Sequence, residues 1–335
     1  MITKAKNNIF KPKQILNLSA TTPSSNESFE PKTVSQALKI SYWWQAMSEE
    51  FDALVHNSTW TRVPHNPTQN IVGCKWIFHI KRNPDGSVMR YKARLVAKDF
   101  HQRPRIDFSD TFSPVVKPTT IRILLHLAAT YGWVLRQLDV NNAILQGTLI
   151  EDVFMQQPQG FCDPWFPQHV FKLQKTIYGL LQAPHAWYTK LRNFLLSIGF
   201  IISKSDNSLF IHRQKELTVF LLVYVDDIII TGTSFQQVQR FITTPAHRFC
   251  LKDLDHLAYF FRVEAIHTSS NLFLSQYKYI CDLLEKHNML GANAISTPIS
   301  STMPLKLHDG APLADPIKYR QVIGSMQYLS LTHST

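Results

Sequence analysis

Residues 217–231 read LTVFLLVYVDDIIIT, and the two acids at the centre of that run decide how the rest of the chain is read. Val219–Val225 and Ile228–Ile230 are apolar, β-branched-rich runs of strand length, and they read as two buried strands joined at Asp226 and Asp227. Paired carboxylates fit poorly there. Asp is depleted in strands, and burying charge without a partner is costly. A two-residue turn also asks for positive φ, which Gly or Asn adopts more readily than Asp. Such a local misfit marks the kind of place where function sits. Hard divalent cations take carboxylate oxygens, and Mg²⁺ typically binds one or two carboxylates plus substrate phosphates. Taken alone, an Asp-Asp pair still reads more often as a solvated turn.

A second element changes that balance. Leu138, Asp139, Val140, Asn141, Asn142 and Ala143 place another acid at the end of an apolar strand. A third carboxylate, distant in sequence, is what a site with two ions about 4 Å apart requires, one activating the attacking hydroxyl and one stabilising the leaving oxygen. Together the three acids make metal-assisted nucleotidyl transfer the leading chemistry.

The whole chain accommodates this reading. Its 335 residues allow about two domains, or one large domain with subdomains. The 44% hydrophobic content supplies a sizeable core and excludes global disorder. Lys and Arg outnumber Asp and Glu by 35 to 24, a balance compatible with a nucleic-acid partner and equally with a solvated basic surface. Cys74, Cys162, Cys250 and Cys281 form no zinc-type spacing, and suit a reducing compartment. With no apolar signal core and no spanning run, the expectation is a soluble, intracellular chain without a membrane partner.

Along the chain, residues 1–32 are polar and read as a flexible leader. A helix is predicted near Ser35, since Ala37, Leu38, Trp44, Met47, Phe51 and Leu54 recur at near-helical intervals. Residues 72–80 and 88–97 read as a hairpin around Asn83, Pro84, Asp85 and Gly86. Ile121–Tyr131 reads as a helix stopped by Gly132, Trp133–Val140 as a strand, and Pro184 onward as a helix with the stripe Trp187, Leu191, Phe194, Leu195 and Ile198. A helix over 236–249, a strand pair through 257–274, a helix over 276–288, a linker over 291–316 and a last helix from 316 to 331 follow. Trp43, Trp44, Trp76, Trp133 and Trp187 read as core. Strands and helices without regular βαβ alternation predict an α+β fold.

Many ordered runs resemble the copia-type reverse transcriptase family, across roughly residues 36–332. They include Asn57–Trp60, Lys75–Phe78, Arg90–Lys98, Thr111–Val116, Gln137–Ala143, Tyr178–Leu180, Gln182–Pro184, Ala186–Tyr188 and Tyr224–Asp227. Leu274–Tyr279, Tyr319 with Arg320, and Gln327–Leu329 continue the match. The resemblance implies an RNA-directed DNA polymerase of right-hand fold, with fingers over 33–118, a palm over 119–268 and a partial thumb or connection over 269–335, ending before a ribonuclease H domain. It implies that Asp139, Asp226 and Asp227 hold two Mg²⁺ ions, with the Val140 carbonyl as a further ligand and Mn²⁺ as a substitute. RNA and DNA primer-template and dNTPs would be the partners, and a cytoplasmic retrotransposon particle with a nuclear phase the setting.

Gln182 matches the segment beside the incoming nucleotide, or else serves as a capping or turn residue. Residues 75–105 carry nine Lys and Arg against two acids, over half of the chain's net charge of +11. Period-two alternation puts Arg90, Lys92 and Arg94 on one face. With Lys81 they are expected to contact the triphosphate or template backbone; a solvated hairpin face is the plainer alternative.

Four positions depart from the family. Ile144 stands where it usually has the aromatic residue that lies under the nucleotide sugar. His185 replaces a common Arg, and Asp255 and Arg262 stand where glycine is usual. These departures support a second reading, a nucleic-acid-binding remnant with little or no catalysis.

Overall fold

The computed structural model describes residues 29–83, 85–249, 251–268, 272–293, 315–327 and 329. Most of the expected leader (1–28), most of the expected linker (294–314), Pro84 of the hairpin turn and the end of the last helix lie outside the described residues. The architecture is mixed α+β with several sheets, as the absence of βαβ alternation predicts.

The sheet that carries the acids is antiparallel throughout. Its six strands run in the order Leu251–His256, Val134–Val140, Asp227–Gly232, Leu217–Tyr224, Leu209–Gln214, Ile201–Ile202. Alternation sends Leu138, Val140, Val219, Leu221, Val223, Ile228 and Ile230 to one face, against Trp187, Leu191 and Leu195 of helix Ala183–Ser197 and Phe241 and Phe249 of helix Phe235–Phe249. Leu135, Leu222 and Ile229 point to the other face, under Ile121, Leu124, Leu125 and Ala128 of helix Pro118–Tyr131. Both faces are covered, which is why residues 217–231 are continuously apolar rather than alternating. Gly132 closes that last helix in left-handed conformation, as its position predicts.

A second core lies under the basic hairpin. Cys74–Arg82 pairs with Val88–Ala97, and one side of the ribbon (Trp76, Phe78, Ala93, Leu95) is buried with Trp43, Met47 and Leu54 of helix Ser41–His56. The same core takes in Val153, Met155, Phe171 and Leu173 of a four-stranded sheet ordered Trp60–Pro64, His169–Lys175, Thr148–Met155, Ile71–Val72.

Several expectations are corrected. The helix expected near Ser35 is two, Val34–Ala37 and Ser41–His56, because Ile40 is extended and starts the second. Trp44 is 54% exposed rather than core, while Trp43 and Trp187 are fully buried. Leu251–His256 joins the acidic sheet although its sequence has no apolar run; its charge is absorbed by Arg136, which pairs with Asp253 at 2.6 Å and Asp255 at 2.9 Å. Among the described residues no helix is long and apolar enough to cross a membrane.

Candidate active site

Strand register brings the acids together. Asp227 is the first residue of its strand and lies opposite Asp139, which in turn lies opposite Lys252 on the sheet's edge strand. Directly paired side chains on one sheet face are neighbours. The turn between Leu217–Tyr224 and Asp227–Gly232 consists of Val225 and Asp226. Its left-handed residue is Val225, at φ 54°, and not the acid. For a β-branched side chain that is a genuine outlier. The Val140 amide donates to the Asp226 carbonyl at 2.9 Å, which ties the turn to the end of the Asp139 strand.

The charges feel one another. Burial, then the Asp226 charge, push the Asp139 carboxyl above its ordinary range, while Lys252 and Lys92 pull it back. Asp227 is raised by burial and by Asp226, against a hydrogen bond from Gln137 Nε2 at 3.4 Å. Like-charged carboxylates gathered at one sheet end form an oxygen-donor set suited to a hard divalent cation. Among the described residues, no three His, Cys, Asp or Glu side chains are drawn together closely enough to chelate an ion by themselves. The donor chemistry fits; the protein alone does not close the shell.

The basic hairpin faces this site. Arg90, Lys92 and Arg94 share one side of Val88–Ala97, with Lys81 opposite Arg90. Burial, Arg94 and Arg90 depress the Lys92 ammonium, and its charge acts on Asp139. Arg90 and Lys92 border a polar cleft with Glu49, Glu50 and Asn142, the last in the turn that follows Asp139. Glu50 was not foreseen from sequence. Burial raises its carboxyl despite a hydrogen bond from the Leu95 backbone and the charges of Lys92, Arg94 and Arg90, and its Oε1 has no hydrogen-bond partner.

Tyr178 and Gly179 dock the hairpin. The Ala97 amide donates to the Tyr178 carbonyl at 2.8 Å, and the Arg94 guanidinium lies 4.7 Å from the Tyr178 ring centre. Gly179 has φ 89°, and a Cβ there would meet the Ala97 carbonyl oxygen at 2.2 Å. Only glycine allows that approach.

Gln182 is 2% exposed. Its Oε1 accepts from Gln102 Nε2 at 2.9 Å and its Nε2 donates to the Asp107 carbonyl at 2.8 Å, so both ends of the amide are engaged within the protein. It stands at the N-cap of helix Ala183–Ser197 without capping it by its side chain. Ile144 is half-buried against the second core, in a short turn whose carbonyl at Ile144 accepts from Thr176 Oγ1. Asp255 and Arg262 both have left-handed backbone, at φ 67° and 65°.

Comparison with known proteins gives the family. Residues 57–301 match the family described as reverse transcriptase (RNA-dependent DNA polymerase). The chain is 48% identical over 333 residues to the retrovirus-related Pol polyproteins from transposons RE1 and RE2 of Arabidopsis thaliana, covering 99% of this chain and 22% and 23% of theirs. It is 36% identical over 312 residues to the Pol polyprotein from transposon TNT 1-94 of Nicotiana tabacum, covering 89% of this chain and 23% of that one. The chain thus spans between a fifth and a quarter of the length of these curated relatives. It belongs to the reverse transcriptase (RNA-dependent DNA polymerase) family, and its homology is to the copia-type retrotransposon Pol polyproteins.

Proposed function

We propose that this chain is the polymerase portion of a copia-type Pol polyprotein, an Mg²⁺-dependent RNA-directed DNA polymerase of right-hand fold. In this reading residues 33–118 are fingers, 119–268 palm and 269–335 part of a thumb or connection. The observation that carries it is the register that sets Asp139 opposite Asp227, with Asp226 tied alongside, while Lys92 acts on Asp139 from the hairpin.

Asp139, Asp226 and Asp227, with the Val140 carbonyl, would hold the two divalent ions, the remaining ligands coming from substrate phosphates. Such ions supply positive charge at the attacking and leaving oxygens. The reaction joins the primer 3′-oxygen to the α-phosphorus of a dNTP and breaks the bond to pyrophosphate. The protein's share is positioning and electrostatics. Lys81, Arg90, Lys92 and Arg94 offer donors to the triphosphate or template backbone, and Gln182 fixes the loop at the start of its helix. Partners are RNA and DNA primer-template and dNTPs.

The non-glycine residues at φ 67° and 65° favour a second reading, a binding remnant with impaired catalysis. Primer extension on RNA and DNA templates, with Mg²⁺ or Mn²⁺, separates the two. The parent should incorporate dNTPs, and Asp226→Asn should abolish incorporation while changing primer-template affinity little, because distributed phosphate contacts supply most binding. A parent that binds primer-template but never extends it supports the remnant.

A further inference from the structure

The turn that carries Asp226 has an unfavourable backbone conformation, and one side chain outside the acidic set bonds to it. Val225 is β-branched and 36% exposed, so neither local preference nor burial of its own side chain explains φ 54°. Its carbonyl, however, accepts from the indole Nε1 of Trp187 at 2.7 Å. Trp187 is 1% exposed, in the middle of the apolar stripe of helix Ala183–Ser197, and its ring meets Phe249 edge-on at 5.6 Å. The indole is thus fixed by packing before it reaches the turn. A buried indole N–H without an acceptor is costly, and so is the buried end of a carbonyl without a donor, so each group secures the other.

The same stretch of helix braces the other acid-bearing element. A Cβ on Gly147, just past the turn that follows Asp139, would lie 3.1 Å from the Trp187 amide nitrogen and 3.0 Å from Ala186 Cβ. One rigid helix therefore contacts both chain segments that bring carboxylates to the site, and the Val140 to Asp226 hydrogen bond links those segments to each other.

We propose that Trp187 is a positioning residue for the polymerase reaction: its indole N–H clamps the Val225 carbonyl and so keeps Asp226 and Asp227 aligned with Asp139. The proposal rests on the reading of those acids as the catalytic set. Without the clamp, Val225 relaxes toward negative φ, its peptide plane turns, and the acid-bearing turn moves with it. Ångström-scale misplacement at a reacting centre costs on the order of a hundredfold in rate.

The test uses the parent, Trp187→Phe, Val225→Gly, the double variant and Asp226→Asn. Phe keeps the ring in its packed slot and removes only the donor, while Gly accepts left-handed φ without strain and so needs no clamp. Three quantities are read: single-turnover kcat and dNTP KM on one primer-template, primer-template Kd, and hydrogen exchange of the Val140 amide in metal-free buffer. Trp187→Phe should lower kcat by roughly 10- to 100-fold with KM and Kd within about twofold. It should also speed exchange of the Val140 amide by roughly tenfold. In the Val225→Gly background the same change should cost less than about threefold in both.

Unchanged kcat and exchange in Trp187→Phe overturn the clamp. So does a loss that Val225→Gly fails to suppress, which marks a general packing defect. If Asp226→Asn extends primers as fast as the parent, or the parent does not extend them, the catalytic reading falls instead, and the Val140 exchange rates decide the clamp on their own.

Discussion

Arg262 and Asp255 each occupy left-handed backbone, and each has found a partner for its side chain. The Arg262 guanidinium lies 4.6 Å from the Tyr279 ring centre, and Asp255 pairs with Arg136 at 2.9 Å. Left-handed conformation costs an L-residue about 1–2 kcal/mol, and an exposed cation–π contact returns about 0.5–1 kcal/mol. Removing the side chain and removing the strain are therefore separable at Arg262. Arg262→Gly should unfold in urea no earlier than the parent, since it loses the ring contact and the strain together. Arg262→Ala keeps the strain and loses the contact, and should fall about 1 kcal/mol below Arg262→Gly. Equal midpoints for the two variants would show that backbone conformation at this position carries no cost.

Among the elements, the joint between helix Ser41–His56 and the hairpin strand Val88–Ala97 sets one acid among three cations. Glu50 lies there beside Arg90, Lys92 and Arg94, yet burial outweighs those cations and raises its carboxyl above 4.5. A raised folded-state pKa means that the folded protein holds this proton longer than the unfolded chain does. The associated stability is complete below about pH 4.5 and is lost as pH rises through the folded value. Glu50→Gln, which cannot ionise, should therefore match the parent in Tm near pH 4 and exceed it at pH 7–8. Thermal unfolding across that range checks the sign, and a Gln advantage confined to low pH would reverse the account of this joint. The same joint matters to function, because Glu50 and Lys92 border one cleft and Lys92 also acts on Asp139.

At the scale of the whole molecule, much of the acidic sheet and of the basic hairpin could be read in advance because their signals are local. The apolar run at 217–231, the helix stripe led by Trp187 and the alternation of Arg90, Lys92 and Arg94 each lie within a few residues. What escaped reading depends on contacts between distant segments. The strand Leu251–His256 is too charged to look like one, and becomes legible only once Arg136 is known to absorb Asp253 and Asp255. The turn is Val225 and Asp226 rather than the two acids, because Asp227 already belongs to the next strand and pairs with Asp139, and the positive φ lies on Val225. Gln182 carried a motif, but not the information that Gln102 and the Asp107 carbonyl consume its amide. Glu50 lies far in sequence from the strand whose cations it faces, and no pattern around it announced a role.

The claim on which the rest depends is that Asp139, Asp226 and Asp227 together hold the divalent ions. Fe²⁺ bound in place of Mg²⁺, with ascorbate and peroxide, releases hydroxyl radicals that cut the backbone beside the ion, whether or not the protein polymerises. With primer-template and dNTP present, cuts should cluster at 138–142 and 224–228. They should fade as Mg²⁺ is added and disappear in Asp226→Asn. Cuts elsewhere in the chain, indifferent to both Mg²⁺ and Asp226→Asn, would contradict the assignment of the site.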